Sequence, residues 1–248
     1  MLQRVNARPR RIMMTVDAVG GVWQYALSLA EQLVGSGDVL VLAGLGPPPT
    51  PEQRRQAERI AALEWLRTPP DWMASRPEDV AGLHDELSPL VREYRIDLVQ
   101  VNEPGQAADL SLFCPVVAVA HSCTATWFHA VREASAPDDW KWRESRTWEG
   151  MKRADLVVAP SATHASALID CYGVLPRLIV VHNSVSSADG AAERDNIVFA
   201  AGRWWDDGKN GSVLDAAASQ TNWPIFAAGA TTGPNGDAIT FRNAVSLG

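Results

Sequence analysis

Short apolar runs alternate with amphipathic stretches along most of the chain. Arg11 to Val16, RIMMTV, reads as a buried strand, and Gly21 to Leu33 carries Val22, Tyr25, Ala26, Leu29, Ala30 and Leu33 at helical spacing. Val39 to Ala43 is a second strand. The rigid, proline-rich loop Gly44 to Pro51 then leads to a polar helix over Glu52 to Leu63. A further helix is predicted over Pro77 to Tyr94, then strands over Ile96 to Val101 and Val116 to Ala120. The latter is almost wholly apolar, as a parallel strand covered on both faces should be. Trp127 to Trp148 reads as a loop leading to a helix. Leu156 to Ala159 is a strand, followed by a helix over Ala162 to Tyr172 with Ser161 as its cap and Gly173 as its stop. Leu178 to Val181 is one more strand.

The pattern then starts again. Residues 186–195 turn small and polar and read as a linker between domains. Beyond it lie a strand (Ile197 to Ala201), a helix (Ser212 to Ser219), a strand (Pro224 to Ala228), a Gly/Pro/Asn loop (Thr231 to Asp237) and the start of a third strand. Alternation of strand and helix predicts an α/β chain with a doubly wound parallel sheet. The expected division is a Rossmann-like domain over 1–185 and the opening of a second over 196–248. With one helix to cover its strands, that second piece is expected to be loosely ordered or docked on the first domain.

Composition narrows the function. With 248 residues, 46% hydrophobic and 21% charged, this is an ordinary globular chain with ample material for a core. Its 22 Lys+Arg against 29 Asp+Glu give a net charge of -7, which argues against a nucleic-acid partner. Arg4, Arg8, Arg10 and Arg11 precede the first acid, Asp17, and read as a frayed tail or a peripheral contact with anionic lipid. No apolar run suits a signal core or a membrane span, so a cytoplasmic location is expected, with peripheral membrane contact as the variant. Cys114, Cys123 and Cys171 lack paired metal-ligand spacing and read as buried or incidental thiols.

Candidate chemistry gathers after the strands. Asp17 to Gly21, DAVGG, is a turn that lets backbone approach a ligand and aims a helix amino end at it, although a plain structural turn explains it equally well. Asn102 and Glu103, with Gln100, stand at a strand's carboxyl end, where open α/β sheets bind ligands; capping duty is the rival reading. His121 and Ser122 follow the next strand directly, His121 being either a catalytic group or a structural hydrogen-bonder. Arg203 and Lys209 suit a phosphate, or are solvated charges beside Asp206 and Asp207. The tryptophans Trp127, Trp140, Trp142 and Trp148 either pack on the sheet or form an acceptor-recognition surface.

Collected in order, these stretches resemble the retaining glycosyltransferases of family 4, whose GT-B architecture sets two Rossmann-like domains across a cleft. The resemblance is carried by residues 17–33 (DAVGGVWQYALSLAEQL), 116–122 (VVAVAHS), 154–174 (ADLVVAPSATHASALIDCYGV), 178–185 (LIVVHNSV), 199–210 (FAAGRWWDDGKN) and 226–236 (FAAGATTGPNG). It implies transfer of a sugar from a nucleotide-diphosphate sugar to a glycan, lipid or small-molecule acceptor, with retention of configuration. Gly20 and Gly21 would approach the donor phosphates, His121 would stand on the acceptor side near the reacting carbon, and Arg203 and Lys209 would hold the diphosphate. No metal or other cofactor is expected, because the leaving phosphate would take the acceptor's proton.

Three departures accompany the resemblance. His182-Asn183-Ser184 stands where the family has Pro-Asn-Gly, so a turn with a positive backbone angle would rest on Asn or Ser. Ser122 stands where many relatives carry an acid. The family's carboxyl-terminal glutamate pair is not in the sequence, which predicts a donor-side domain that is truncated. Two rivals therefore stay open: a non-catalytic acceptor-binding remnant of the same fold, and a nucleotide-sugar epimerase.

Overall fold

The structure, a computed structural model, describes residues 8–184, 195–233 and 236–248. It divides into two compact units, Met1–Val185 and Ser186–Gly248. The expected linker falls, apart from Asp195, outside the described residues.

The first unit holds a seven-stranded sheet in the order β3-β2-β1-β4-β5-β6-β7, every neighbouring pair parallel. In chain order its elements are β1 (Arg11–Asp17), α1 (Gly21–Gly35), β2 (Val39–Leu45), α2 (Pro51–Glu58), β3 (Ala62–Trp65), α3 (Leu83–Glu93), β4 (Leu98–Val101), β5 (Val116–Val119), α4 (Thr124–Trp127), α5 (Lys141–Arg153), β6 (Leu156–Ala159), α6 (Ala162–Tyr172) and β7 (Leu178–Val180). Side chains that alternate along a strand face opposite sides of the sheet. Accordingly Met13 joins Val41, Val99, Ala118 and Val157 in a core closed by Leu87, Met151 and Leu168 of α3, α5 and α6. Ile12, Met14 and Val16 join Leu40 and Leu42 in a second core, closed by Trp23, Ala26, Leu27 and Ala30 of α1. The apolar character of β2, and of Ile12, Met13, Met14 and Val16 in β1, follows from burial on both faces.

The strand order turns back between β1 and β4, since β2 and β3 lie to one side of β1 and β4 to β7 to the other. A crevice opens at such a reversal, at the carboxyl ends of the strands.

Several sequence expectations need correction. The helix expected over Glu52 to Leu63 stops at Glu58, and Ala62–Trp65 is a strand paired with Val41 to Gly44. Ala, Leu and Glu favour helix locally, but the open edge of β2 offers ladder hydrogen bonds over four residue pairs that local preference cannot anticipate. The helix expected over Pro77 to Tyr94 is a 3-10 turn at Pro77–Asp79 and then α3, with Gly82 as the cap between them. Of the four arginines read as a frayed tail, Arg4 lies outside the described residues and the other three are held: Arg8 pairs with Asp97 at 2.6 Å, Arg10 with Asp38 at 2.6 Å, and Arg11 donates to the Tyr94 carbonyl. The His182-Asn183-Ser184 turn uses no positive backbone angle, because among the described residues only Arg95, Glu133 and Asn210 adopt one without being glycine.

The second unit is a three-stranded parallel sheet, β10-β9-β8, built from β8 (Val198–Ala201), α7 (Gly211–Ala218), β9 (Ile225–Ala228) and β10 (Val245–Ser246). Asp215 of α7 accepts the amides of Arg242, Asn243 and Ala244 at 2.8 to 2.9 Å, tying the segment before β10 to the helix.

Candidate functional site

The crevice in the first unit begins with Thr15, a fully buried hydroxyl within the apolar run Ile12 to Val16 of β1. Its Oγ1 donates to Gln106 Oε1 at 2.6 Å and accepts the Asn102 amide at 2.9 Å, so one side chain fastens β1 to the chain leaving β4. Asn102 Nδ2 donates to the Thr15 carbonyl at 2.6 Å, and Asn102 Oδ1 faces Gln100 Nε2 at 3.0 Å and His121 Nε2 at 3.3 Å. Gln100 Nε2 also reaches the Tyr25 hydroxyl at 3.5 Å. The Tyr25 ring meets the His121 ring edge to face, 4.4 Å between centroids. Residues from β1, α1, β4 and β5 thus converge on a wall of neutral hydrogen-bonding groups.

His121 is half-buried, and burial, reinforced by neighbouring His164, pushes its pKa down from 6.5 to about 4. The imidazole is neutral near pH 7. Ser122 is exposed beside it.

The glycine turn is organised by Asp17. Its Oδ1 accepts the amides of Val19 and Gly20 at 3.1 and 3.0 Å, while Gly20 caps α1 with no side chain. A Cβ on Gly21 would meet nothing within 4 Å, so its outer side is open to a ligand. Two of the turn's amides are therefore engaged, and the amino end of α1 from Gly21 onward supplies partial positive charge.

Behind this wall lies an acid and arginine cluster that the sequence did not disclose. Glu103 Oε2 accepts the Asp71 amide at 3.2 Å. Arg143 of α5, buried, donates to the carbonyls of Asp71 and Ala74 and lies between the rings of Trp140 and Trp142, 4.3 and 4.4 Å from their centroids. Arg146 Nε stands 3.9 Å from Asp71 Oδ2, and Arg146 Nη1 pairs with Asp109 at 2.6 Å. Burial drives the Asp71 carboxyl up to about 6 against the pull of the two arginines, and Glu103 also rises well above the carboxylate range through burial and the Asp71 charge. The carboxyl group of Glu103 thus clamps the loop around Asp71. No pattern of spacing reveals this, because Asp71, Glu103 and Arg143 belong to three distant segments.

The four tryptophans of residues 127–148 are half-buried and packed rather than fanned out: Trp127 meets Phe128 and Phe128 meets Trp140 edge to face, and Trp148 stacks on Tyr172. Among the described residues no group of three or more His, Cys, Asp or Glu could hold a metal ion, and no helix is long and apolar enough to cross a membrane.

In the second unit, Arg203 and Lys209 follow β8. Arg203 Nη2 meets Asp206 Oδ2 at 3.4 Å and its guanidinium lies 5.5 Å from the Trp205 ring centroid. The Lys209 stem packs near Gly202, and its ammonium end is exposed in the 3-10 turn Asp207–Lys209. Asn210, at φ 49°, then turns the chain into α7. The two cations flank one turn, and Arg203 pairs there with Asp206, one of the two acids named beside it in the sequence.

Known structures share this fold at low identity. The crystal structure of Anabaena HepE in complex with UDP and glucose matches with TM-score 0.56 and 15% identity, over 88% of this chain and 60% of that one. A UDP-glucosyltransferase from Polygonum tinctorium capable of glucosylating indoxyl matches with TM-score 0.58 and 14% identity, over 93% and 67%. The glycotransferase of kitacinnamycin matches with TM-score 0.55 and 14% identity, over 97% and 71%. This chain thus spans about 60% of the length of the Anabaena protein. No curated protein matches the sequence. Residues 19–189, well over half of the chain, match the family described as Glycosyltransferase Family 4, and the chain belongs to that family.

Proposed function

We propose that the protein transfers a sugar from a nucleotide-diphosphate sugar to a hydroxyl-bearing acceptor, a glycan, a lipid or a small molecule, with retention at the anomeric carbon. The observation that carries this reading is the Tyr25–His121 ring contact. It brings the first turns of α1, with the Gly20-Gly21 turn, beside the histidine after β5, in one crevice of a Glycosyltransferase Family 4 chain. UDP in the Anabaena structure, and the UDP-glucosyltransferase activity in the name of the Polygonum tinctorium protein, support a nucleotide-diphosphate donor.

In this reading the amino end of α1 faces the donor phosphates, and His121 and Asn102 face the sugar and the acceptor hydroxyl. Arg203 and Lys209 hold the diphosphate as it leaves, and the leaving phosphate takes the acceptor's proton, so no carboxylate nucleophile is required. Ser122 and Glu103 complete the acceptor side, Glu103 by holding the loop around Asp71.

The test is nucleotide release from UDP-sugars with and without acceptor. Release that depends on the acceptor supports transfer, acceptor-independent turnover points to an epimerase, and sugar binding without release points to a binding module. Arg203→Ala and Lys209→Ala are each expected to lower kcat/KM roughly 100-fold or more, the usual cost of losing one preorganised charge-stabilising group. Near wild-type transfer by both variants would remove them from the site.

A further inference from the structure

The hydrogen bonds around Asn102 decide more than its own position. A backbone carbonyl has no proton to give, so the Asn102 atom 2.6 Å from the Thr15 carbonyl must be the amide nitrogen. The Asn102 oxygen is thereby turned the other way, toward Gln100 Nε2 at 3.0 Å and His121 Nε2 at 3.3 Å. An amide oxygen likewise only accepts. The hydrogen bond to His121 therefore exists only if Nε2 carries the proton, and a neutral imidazole has one ring proton.

We propose that Asn102 is a positioning residue that fixes His121 as the tautomer protonated on Nε2, leaving Nδ1 as a bare lone pair that accepts a hydroxyl group of a neutral ligand. The identity of that ligand as a sugar or its acceptor rests on the glycosyltransferase reading; the tautomer does not. The diester-type phosphates of a nucleotide-diphosphate sugar carry no proton near neutral pH and find no donor at Nδ1, whereas a hydroxyl donates to it. The neighbouring groups suit the same ligand, since Thr15, Gln100, Gln106 and Tyr25 are neutral and form hydrogen bonds. The titratable groups bearing on the ring are Tyr25 from α1 and His164 from α6, and burial together with His164 keeps the imidazole uncharged.

The experiment is the nitrogen-15 spectrum of the His121 ring in the whole protein near neutral pH. Wild type should show a proton on Nε2 in at least about tenfold excess, the worth of one hydrogen bond. A proton on Nδ1, or an even mixture, overturns the proposal, and this holds whatever any variant does. Asn102→Leu should bring the two tautomers to comparable populations. Asn102→Asp keeps an acceptor but adds charge, and should raise the titration midpoint of His121 by about 1 to 3 units. Inorganic sulfate, an anion with no proton to donate near neutral pH, should leave both ring nitrogens unmoved, while glucose at high concentration should shift Nδ1 and spare Nε2. Movement with sulfate, or none with glucose, overturns the hydroxyl assignment. A protein with the expected spectrum and no transferase activity would sink the glycosyltransferase reading alone.

Discussion

At the scale of single residues, the site depends on polar groups inside an apolar frame. Thr15 is the clearest case. Thr15→Val keeps the shape of the side chain and removes both hydrogen bonds, leaving Gln106 Oε1 and the Asn102 amide unpaired in a buried place. The expected cost is about 2 to 3 kcal/mol in a denaturant titration, well above the loss of one exposed hydrogen bond. Asp71 has a pH signature. Its folded pKa of about 6 lies above the ordinary 3.8, so its contribution to stability is present below pH 4 and lost as pH rises through 6. Glu103 shifts in the same direction. His121 works oppositely: with a folded pKa of about 4 against 6.5, its contribution is present above pH 6.5 and lost as pH falls through 4. The two oppose each other between pH 4 and 6, so the wild-type profile alone would hide both. The difference between Asp71→Asn and wild type should therefore grow in the variant's favour as pH rises over that range, by about 2 to 3 kcal/mol. A difference that stays flat would mean that Arg143 and Arg146 keep Asp71 ionised throughout.

At the scale of elements, close approach matters as much as apolar burial. A Cβ at Gly150 of α5 would stand 1.8 Å from the Pro104 carbonyl oxygen, backbone that has no flexible end to give way. Gly150→Ala is expected to destabilise the first unit by about 2 to 3 kcal/mol, despite the better helix propensity of alanine, read as a shift in unfolding midpoint. The element pattern itself was largely legible. Strand and helix runs such as Val39 to Ala43 and Ala162 to Tyr172 announce themselves through periodicity, caps and stops, and the Ser161 hydroxyl does accept the His164 amide at 3.1 Å. What escaped was β3, where local preference and sheet pairing disagree, and the break before α3, where Gly82 interrupts an otherwise helical run.

At the scale of the molecule, the two units differ in how completely their sheets are covered. The first has helices on both faces of seven strands. The second has three strands and, among the described residues, leaves Phe199, Trp223, Val245 and Leu247 at least 45% exposed. Amide hydrogen exchange should therefore be slow across β1 and β4 and faster, by about two orders of magnitude or more, across β8 and β9. Equal protection in the two sheets would show that the apolar groups of the second unit are covered in solution. The units also divide the proposed chemistry, with the neutral hydroxyl wall in one and the cationic turn of Arg203 and Lys209 in the other.

The sequence by itself determined the alternation of strands and helices, the doubly wound class, and the placing of His121, Asn102 and the glycine turn at strand ends. These are local properties, written in periodicity and turn residues a few positions apart. Only the tertiary structure decided what those residues do. Thr15 to Asn102, Asn102 to His121, Asp71 to Glu103 and Arg143 to Asp71 join segments up to 87 residues apart. A tautomer, a raised carboxyl pKa and a buried arginine are set by burial and by partners from elsewhere in the chain, which no window along the sequence contains.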